Sequence, residues 1–340
     1  MIDAAIVGLG WWGKTIVESA AGSDEIRFVA AATRSASEDS ASFAAANGMS
    51  LAGGLDELLA EPELDAIVLA TPHSLHSEQV IACAAAGKHV FCEKPFSLTK
   101  HEAQAAVDAA SAAGVTLGLG YNRRFHPEMT KLRERIRSGE LGVIEHVEAT
   151  MTFPNALTLS GDAWRAQRDE TPCGGLTPMG VHAIDGMIDL CGPIESVFCQ
   201  SFRRAVAIDA DDTTSMLFRM KEGMSGYLGT MTATGPGFSF QVFGSGGWVR
   251  LEGRTHVAGA TSEERRTGLF STCKFQPVKG PAEVWEAERA DVTLAALDAF
   301  ARAAQGGPPY LITLEEMVHG AAVTEAVVRS AASGQVERVP

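Results

Sequence analysis

Short apolar runs alternate with helix-like patterns over roughly the first 120 residues of the chain. The apolar runs predict buried strands at residues 4–7, 27–32, 65–70, 89–92 and 115–120. Segments with helical spacing lie between them and predict helices at residues 14–21, 37–47, 55–59, 78–86 and 99–113, of which 37–47 is alanine-rich. The last helix opens with a Thr-x-x-Glu capping box made by Thr99 and Glu102. Strands and helices that alternate in this way predict a doubly wound parallel sheet.

The rest of the chain has a different pattern. Helices are predicted at residues 131–138, 179–191, 287–304 and 314–332. Strand-like runs occupy residues 143–153, 196–202, 213–220, 224–230, 238–243 and 248–252. Short turns separate the last five runs, which is typical of an antiparallel meander. We expect one face of this open sheet to carry helices and the other to form the interface of a homodimer or homotetramer.

Two polar segments stand apart from these elements. Residues 155–172 form a long irregular stretch, and a loop of that size inside a compact domain is more often functional than idle. We therefore expect it to flank a substrate. Residues 255–268 are polar and are expected to be exposed.

Length and composition limit the classes of protein to consider. A chain of 340 residues predicts two domains, which we place at residues 1–121 and 122–340, with the C-terminal helix a candidate to pack back on the first. The net charge of −14 and the pI near 5.1 argue against a nucleic-acid partner. No apolar run approaches the ~20 residues of a membrane span, and the N-terminus does not resemble a signal peptide, so we expect a cytoplasmic protein.

The cysteines and histidines give little sign of a metal or a disulfide framework. The six cysteines are scattered, with no pair at CxxC spacing, and we interpret them as free thiols in a reducing compartment. His73 and His76 are three residues apart, but no cysteine or carboxylate cluster lies near them in sequence. We predict no metal site.

A glycine-rich turn follows the first predicted strand. Gly8, Gly10 and Gly13 form a GxGxxG motif between that strand and a helix, which is the context that a dinucleotide pyrophosphate requires. Gly8 makes the tight turn, Gly10 allows the backbone to approach the phosphates, and Gly13 allows the helix to pack on the strand. The backbone N–H of Trp12 is assigned to the same cradle, since helix N-termini favour anions.

The end of the second strand bears on cofactor choice. A site for NAD usually has Asp or Glu here to bind the ribose 2′-hydroxyl, whereas this chain has Thr33, Arg34 and Ser35. Hydroxyls and a guanidinium suit a 2′-phosphate, so we predict NADP(H). The alternative is that NAD binds and Arg34 stacks on the adenine or points into solvent.

Lys94 is the first candidate for catalysis. It follows the strand at 89–92, and ligands of open parallel sheets bind beyond the carboxyl ends of strands. Loss of hydration and the charge of an oxidised nicotinamide both favour a neutral amine that can exchange a proton. A lone lysine is more often a solvated loop residue, and it is the neighbouring motifs that favour catalysis here. We assign Glu93, Lys94, Asn122 and the turn containing Thr71, Pro72 and His76 to the cofactor groove, because all follow strand ends.

Several of these motifs, in this order, resemble those of the Gfo/Idh/MocA family of NAD(P)-dependent oxidoreductases. The resemblance rests on the GLGWWG turn, the Thr-Pro-x-x-x-His turn, the Glu93-Lys94-Pro95 tripeptide, the segment 120–127, Trp164-Arg165 and the segment 180–185. It implies a Rossmann domain followed by an α+β domain with a mostly antiparallel open sheet.

The resemblance also implies roles for individual residues. Lys94 would be the acid/base lysine, and the peptide bond between Lys94 and Pro95 would be one that can be cis. His182 would lie beside the substrate. Trp164 and Arg165 would approach the cofactor from the second domain. An isolated histidine on a helix is otherwise more often a core residue.

One position departs from the family pattern. Many family dehydrogenases have Asp four residues before the active-site histidine, where this chain has Pro178. Either Lys94 and His182 then handle the proton between them, with Asp185, three residues after His182, available to orient the ring, or the reaction or the substrate differs from that of the better-known members.

We therefore predict an NADP(H)-dependent oxidoreductase that acts on a secondary carbon of a sugar, cyclitol or related small-molecule polyol or ketone. Two alternatives remain. One is a hydrolase or eliminase that retains NAD and uses transient oxidation, and the other is a non-catalytic NADP-binding sensor.

Overall fold

The structure, a computed structural model, describes residues 1–34, 37–254 and 261–340. Ser35, one of the residues predicted to bind the cofactor, lies outside these ranges, as does part of the segment 255–268. The chain divides into two compact units. The first comprises Met1–Asn122 with Asp291–Val318, and the second comprises Arg123–Ala290 with His319–Pro340.

The first unit contains a six-stranded parallel sheet in the order β3-β2-β1-β4-β5-β6. Its strands are β1 Ile2–Val7, β2 Ile26–Ala32, β3 Ser50–Ala52, β4 Ala66–Leu69, β5 His89–Cys92 and β6 Leu117–Leu119. Its helices before residue 122 are α1 Trp11–Ala20, α2 Glu38–Ala46, α3 Leu55–Leu59, α4 His76–Ala85 and α5 Lys100–Ala113. This strand order reverses direction between β1 and β4, and open parallel sheets bind ligands at such a point.

The apolar runs explain why the central strands form. Every residue of β4 is buried, and only Asp3 of β1 is partly exposed, as expected for strands covered on both faces. The short strand β3 is largely exposed and was not predicted, because three residues carry no usable hydrophobic pattern. Thr99 caps α5 by accepting a hydrogen bond from the backbone N–H of Glu102.

The second unit contains a nine-stranded sheet in the order β14-β13-β12-β11-β7-β10-β9-β8-β15. Its strands are β7 Ile144–Thr152, β8 Ile194–Phe202, β9 Thr213–Met220, β10 Ser225–Met231, β11 Gly237–Gly244, β12 Gly247–Gly253, β13 Phe270–Pro277, β14 Glu283–Glu286 and β15 Glu337–Arg338. The pair β7–β10 is parallel and the other neighbouring pairs are antiparallel. The predicted fold class, a Rossmann sheet plus a mostly antiparallel sheet, is confirmed.

The helices that lie wholly in the second unit are α6 Pro127–Arg137, α7 Val181–Cys191 and α8 Ser262–Thr267. Of these, α7 packs on the sheet, since a Cβ on its Gly186 would lie 3.2 Å from the ring of Phe240 in β11. Along β7 the residues Val147, Ala149 and Met151 are buried, while alternate residues are partly exposed. This period of two defines a helix-covered face and an open face. Leu217 and Phe202 are large apolar side chains that remain more than half exposed.

The segment Asp291–Val318 returns to the first unit. It contains α9 Val292–Ala304 and the beginning of α10 Leu314–Ser333. The helix α9 starts later than the hydrophobic pattern indicates, because Asp291 accepts hydrogen bonds from the backbone N–H groups of residues 293 and 294 and so caps it there. Phe300 of α9 packs edge to face on Phe91 of β5, with ring centroids 5.6 Å apart. Among the described residues, no helix has both the length and the apolar character needed to cross a membrane.

Candidate active site

The glycine-rich turn after β1 is shaped by contacts that exclude side chains. A Cβ on Gly8, whose φ is +105°, would overlap the carbonyl oxygen of Ala70, and a Cβ on Gly13 would overlap the carbonyl oxygen of Gly8. Gly10 differs, because a Cβ there would meet no atom within 4 Å. Gly10 is also the N-cap of α1 and has no side chain to occupy the helix N-terminus. Open space above Gly10 next to that N-terminus fits the pyrophosphate of a dinucleotide.

The end of β2 carries the residues predicted to distinguish the two nicotinamide cofactors. Thr33 is half-buried and Arg34 is exposed. Both follow the last residue of β2, Ala32, whose carbonyl oxygen accepts a hydrogen bond from the N–H of Gly8. The first strand and the second therefore present their carboxyl ends together, with a guanidinium and no carboxylate directly after β2.

The turn after β4 is fixed by His76. Its Nδ1 lies 2.8 Å from the carbonyl oxygen of Pro95, and its Nε2 lies 3.1 Å from the carbonyl oxygen of Thr71. The imidazole has no exposed surface. His76 thus ties the Thr71–Pro72 turn to the turn after β5, which favours a role in holding the two turns over direct contact with a cofactor. Thr71 and Pro72 are half-buried, and the Thr71 hydroxyl donates to Oε1 of Gln79 over 2.6 Å.

Lys94 follows β5 at the same edge of the sheet. It is half-buried, and its bond to Pro95 is cis, as the family resemblance implies. The backbone N–H of Lys94 donates to the Glu93 carboxylate over 3.2 Å. Glu93 is almost fully buried, and its burial raises the pKa of its carboxyl group, while the charge of Lys94 acts in the opposite direction. A Cβ on Gly120 would lie 2.7 Å from Oε1 of Glu93, so the glycine leaves room for this carboxylate.

Asn122, the last residue of the first unit before the chain leaves it, is held by α9. Its Nδ2 donates to the hydroxyl of Thr293 over 3.0 Å, and both side chains are buried. The C-terminal segment therefore stabilises the strand-end loop in which Asn122 lies. Nothing in the local sequence pattern indicated this partner.

In the second unit, a tightly bent segment precedes the helix with His182. Cys173 and Gly174 have φ values of +54° and +56°, and Gly174 is so close to the backbone of Asp211 that a Cβ would overlap its carbonyl oxygen. A wide π-helical turn, Leu176–Gly180, follows and leads directly into α7. Such turns are rare and often occur at functional sites. The predicted helix start at residue 179 falls within this turn, which the helical period does not reveal.

His182 and Asp185 are both buried on α7. Asp185 binds Arg124, whose Nη2 lies 2.7 Å from Oδ1 and whose Nε lies 2.9 Å from both carboxylate oxygens. Asp189, one turn further along α7, pairs with Arg133 over 2.6 Å. Arg124 thus fixes α7 to the segment that precedes α6, and Arg133 fixes α7 to α6 itself. This network is absent from the sequence-based predictions, although two acids four residues apart on one helix were a signal that could have indicated it.

The segment with Trp164 and Arg165 forms a short 3₁₀ turn, Trp164–Ala166. The guanidinium carbon of Arg165 lies 4.1 Å from the centroid of the Trp164 ring. Trp164 is half-buried, and Arg165 is exposed on the surface of the chain. The structure therefore joins these two predicted residues to each other, and their approach to a cofactor stays a prediction.

Metal chemistry has no candidate cluster in the part of the chain that the structure describes. Within residues 1–34, 37–254 and 261–340, no three His, Cys, Asp or Glu side chains are grouped so that they could hold a metal ion. The cysteines are free and buried.

The glycine cradle at the strand-order reversal and the second, mostly antiparallel sheet define a dinucleotide-dependent oxidoreductase of two-domain architecture. Residues 2–121 match the model of the oxidoreductase family with an NAD-binding Rossmann fold, and residues 129–250 match the GFO/IDH/MocA C-terminal domain. The chain belongs to the Gfo/Idh/MocA family, as the sequence motifs indicated. Its enzyme class is that of the NAD(P)-dependent dehydrogenases and reductases that act on alcohols.

The chain is similar to several individual proteins. The rhizopine catabolism protein MocA of Rhizobium meliloti is 31% identical over 327 residues, which is 94% of this chain and 92% of the relative. The scyllo-inositol 2-dehydrogenase (NADP(+)) of Bacillus subtilis is 29% identical over 222 residues, or 64% of this chain and 67% of the relative. The aldose-aldose oxidoreductase of Caulobacter crescentus, solved with glycerol, aligns over 99% of both chains with a TM-score of 0.86 at 22% identity, a likeness of fold.

Proposed function

We propose that this chain is an NADP(H)-dependent oxidoreductase that moves a hydride to or from a secondary carbon of a sugar, cyclitol or related polyol or ketone. The observation that carries the proposal is the position of Lys94, half-buried at the carboxyl end of β5 and next to a buried carboxylate. A bound nicotinamide supplies the hydride acceptor or donor. Homologues are sugar and inositol dehydrogenases and reductases, which supports a polyol as substrate.

Lys94 performs the acid/base step in this proposal. In oxidation its neutral amine accepts the hydroxyl proton while the C–H bond of the same carbon breaks with its electron pair. In reduction its ammonium donates that proton to the oxygen of the former carbonyl group. His182 holds the reacting oxygen by a hydrogen bond, and Asp185, engaged by Arg124, acts as a positioning residue for α7.

The test of this role is the formation or loss of reduced nicotinamide, followed by its absorbance, with polyols and ketoses as substrates. Lys94→Ala is expected to lower kcat by about 100- to 10,000-fold, the usual contribution of an acid/base group, with little change in cofactor affinity. Lys100→Ala is the matched control, since Lys100 is a similarly half-buried lysine at the first position of α5. Equal activity of both variants would contradict the assignment of Lys94.

The preference for NADP(H) is the second part of the proposal. Its support is the exposed guanidinium of Arg34 and the absence of an acid at residues 33–35 of the sequence. Arg34→Ala is expected to lower kcat/KM for NADPH by about 10- to 100-fold and to leave that for NADH within about 3-fold. A parallel loss with both cofactors would show that Arg34 does not read the 2′-phosphate.

Pro178 favours a second candidate function. It stands where many family dehydrogenases have an acid, and it lies in the π-helical turn before His182. A hydrolase or eliminase that retains its nicotinamide would form product without net change in free NAD(P)H. Stoichiometric consumption of free cofactor would exclude this alternative, and binding of cofactor without any turnover would favour a sensor.

Self-association completes the proposal. We infer a homodimer or homotetramer formed through the open face of the nine-stranded sheet, where Leu217 and Phe202 are exposed. Light scattering tests this. Leu217→Glu is expected to shift the molar mass towards that of the single chain, and an unchanged mass would place the interface elsewhere.

A further inference from the structure

Arg123, the first residue of the second unit, is a buried arginine in contact with an aromatic ring and a thioether. The residue is 7% exposed. Its Nη1 lies 3.9 Å from the sulfur of Met151, and its guanidinium carbon lies 4.7 Å from the centroid of the Phe238 ring. No acidic side chain within residues 1–34, 37–254 and 261–340 forms an ion pair with it. The next residue, Arg124, is buried to a similar degree and is paired with Asp185.

A buried guanidinium in this environment is costly. Burial lowers the pKa of Arg123 to about 9, so the group still carries its charge at neutral pH. The penalty for an uncompensated ion inside a protein is several kcal/mol even after relaxation. The contacts with the Phe238 ring and the Met151 sulfur offset only a small part of it. A bound anion would offset much more, because a buried charge pair regains the Coulomb energy that water no longer supplies.

The register of the sheet places Arg123 near the segment that leads to His182. Phe238 of β11 is opposite Met151 of β7, which is opposite Thr230 of β10. Thr230 is opposite Thr214 of β9 in turn. Since directly paired residues of neighbouring strands point to the same side, these four form one row across the helix-covered face.

Arg123 and the turn before the His182 helix contact different parts of this row. Arg123 lies over Phe238 and Met151, while a Cβ on Gly175 would lie 2.8 Å from Thr230. The Thr214 hydroxyl donates to the carbonyl oxygen of Cys173 over 2.9 Å. Neighbouring strands are about 5 Å apart, so Arg123 and the turn preceding the His182 helix occupy adjacent positions on one face.

We infer that the substrate of this enzyme carries a carboxylate and that Arg123 binds it. The planar guanidinium fork matches a carboxylate through two parallel hydrogen bonds. A phosphate ester fits less well, since its second charge would need another cation, whereas Arg123 contacts Phe238 and Met151. The substrate class is therefore a hydroxy acid or keto acid of the sugar series. This inference rests on the proposed oxidoreductase function.

The first measurement compares substrates that differ only in that group. Glucuronate is paired with glucose, galacturonate with galactose and gluconate with sorbitol, each with both nicotinamide cofactors. The carboxylated member of at least one pair is expected to have a kcat/KM about 10- to 100-fold above that of the neutral member, the usual range for a charge-assisted hydrogen bond. A consistent preference for neutral members would overturn the inference.

The second measurement removes the guanidinium. Arg123→Met is expected to abolish the preference, with a loss of about 10- to 100-fold for the acid and less than about 3-fold for the neutral substrate. Arg123→Lys, which keeps the charge without the fork, is expected to lie between the two. Arg137→Met is the control, since Arg137 is an exposed arginine on α6. Equal losses for both members of a pair would mean that Arg123 only supports the fold.

Direct binding separates failure of the inference from failure of the proposed function. Calorimetric titration with the carboxylated compounds, without turnover, is expected to show binding to the wild type and its loss in Arg123→Met. Binding with that dependence but no nicotinamide turnover on any compound would refute the oxidoreductase proposal and uphold the anion site. Lys94-dependent turnover of neutral polyols, with no binding of any acid, would uphold the oxidoreductase proposal and refute the anion site. Circular dichroism of each variant establishes that it is folded, and the wild-type preference stands as a test by itself.

Discussion

Arg124 and Asp185 form a buried ion pair in which Nη2 of the arginine lies 2.7 Å from Oδ1 of the aspartate. Their side chains are 2% and 3% exposed. Arg124 belongs to the segment at the start of the second unit, and Asp185 belongs to α7, three residues after His182. The pair therefore fixes the rotation of the helix on which the proposed substrate-binding histidine lies.

Breaking this pair is expected to destabilise the protein strongly. Asp185→Asn removes the charge that compensates Arg124, and such losses cost about 3–5 kcal/mol in the free energy of unfolding. Denaturant titration measures the effect. Glu195→Gln, which breaks an exposed pair with Arg219, is the control and should cost less than about 1 kcal/mol. Similar values for the two variants would mean that the buried pair contributes little.

Two glycines of the nucleotide cradle are expected to respond differently to the same substitution. Gly13→Ala forces a Cβ onto the carbonyl oxygen of Gly8 and should lower both stability and cofactor affinity. Gly10→Ala meets open space, so the unfolding midpoint without cofactor should change little. Its methyl group would instead occupy the approach of the pyrophosphate and weaken cofactor binding by about 10-fold or more. Thermal unfolding and fluorescence titration with NADPH measure the two quantities. Undiminished affinity in Gly10→Ala would place the cofactor elsewhere.

His126 is expected to make stability depend on pH. Burial, aided by the charges of Lys131 and Arg123 and opposed by Glu128, lowers the pKa of this imidazole to about 4. Its Nδ1 accepts a hydrogen bond from the backbone N–H of Glu128 at the start of α6, which requires a ring nitrogen without a proton.

The sign of that dependence follows from the two pKa values. Above pH 6.5 the ring is neutral in both states and its contribution is complete. As the pH falls from about 6.5 to about 4, His126 binds a proton in the unfolded chain but stays neutral in the folded protein. The free energy of unfolding therefore decreases by roughly 3 kcal/mol and then levels off. His126→Asn keeps a capping group and should flatten this change, whereas His101→Asn on the exposed face of α5 should not. A constant difference between wild type and His126→Asn from pH 4 to 8 would refute the assignment.

Gly118 of β6 is expected to limit how α9 packs on the first unit. A Cβ at this position would lie 2.9 Å from the Phe300 ring and 3.0 Å from the Phe91 ring. Gly118→Ala should therefore cost about 1–3 kcal/mol in the free energy of unfolding, the usual penalty for overpacking a core. In the background of Phe300→Leu, which has a smaller side chain there, the same substitution should cost less. Additive effects in denaturant titration would show that the two positions do not compete for space.

The sequence determined those features whose cause is local. The strands β1, β4 and β5 are continuous apolar runs, and the GxGxxG turn and Lys94 follow such runs directly, so periodicity and glycine spacing were sufficient to predict them. The motif order also gave the family, which the comparisons confirm. The short or exposed strands β3, β14 and β15 have no such pattern, and they form because a neighbouring strand offers hydrogen-bond partners.

Only the tertiary structure decided which charges are compensated and where the C-terminal segment packs. Adjacent arginines in one sequence motif acquire opposite environments, because Arg124 meets an acid 61 residues away while Arg123 meets a phenylalanine and a methionine. Residues 291–318 fall in the second predicted domain, whose C-terminal helix is a candidate to pack back on the first, whereas in the structure they belong to the first unit, where α9 packs on β5. The partner and the exposure of a side chain depend on segments that are distant in sequence. A local sequence pattern therefore cannot predict which segments those are.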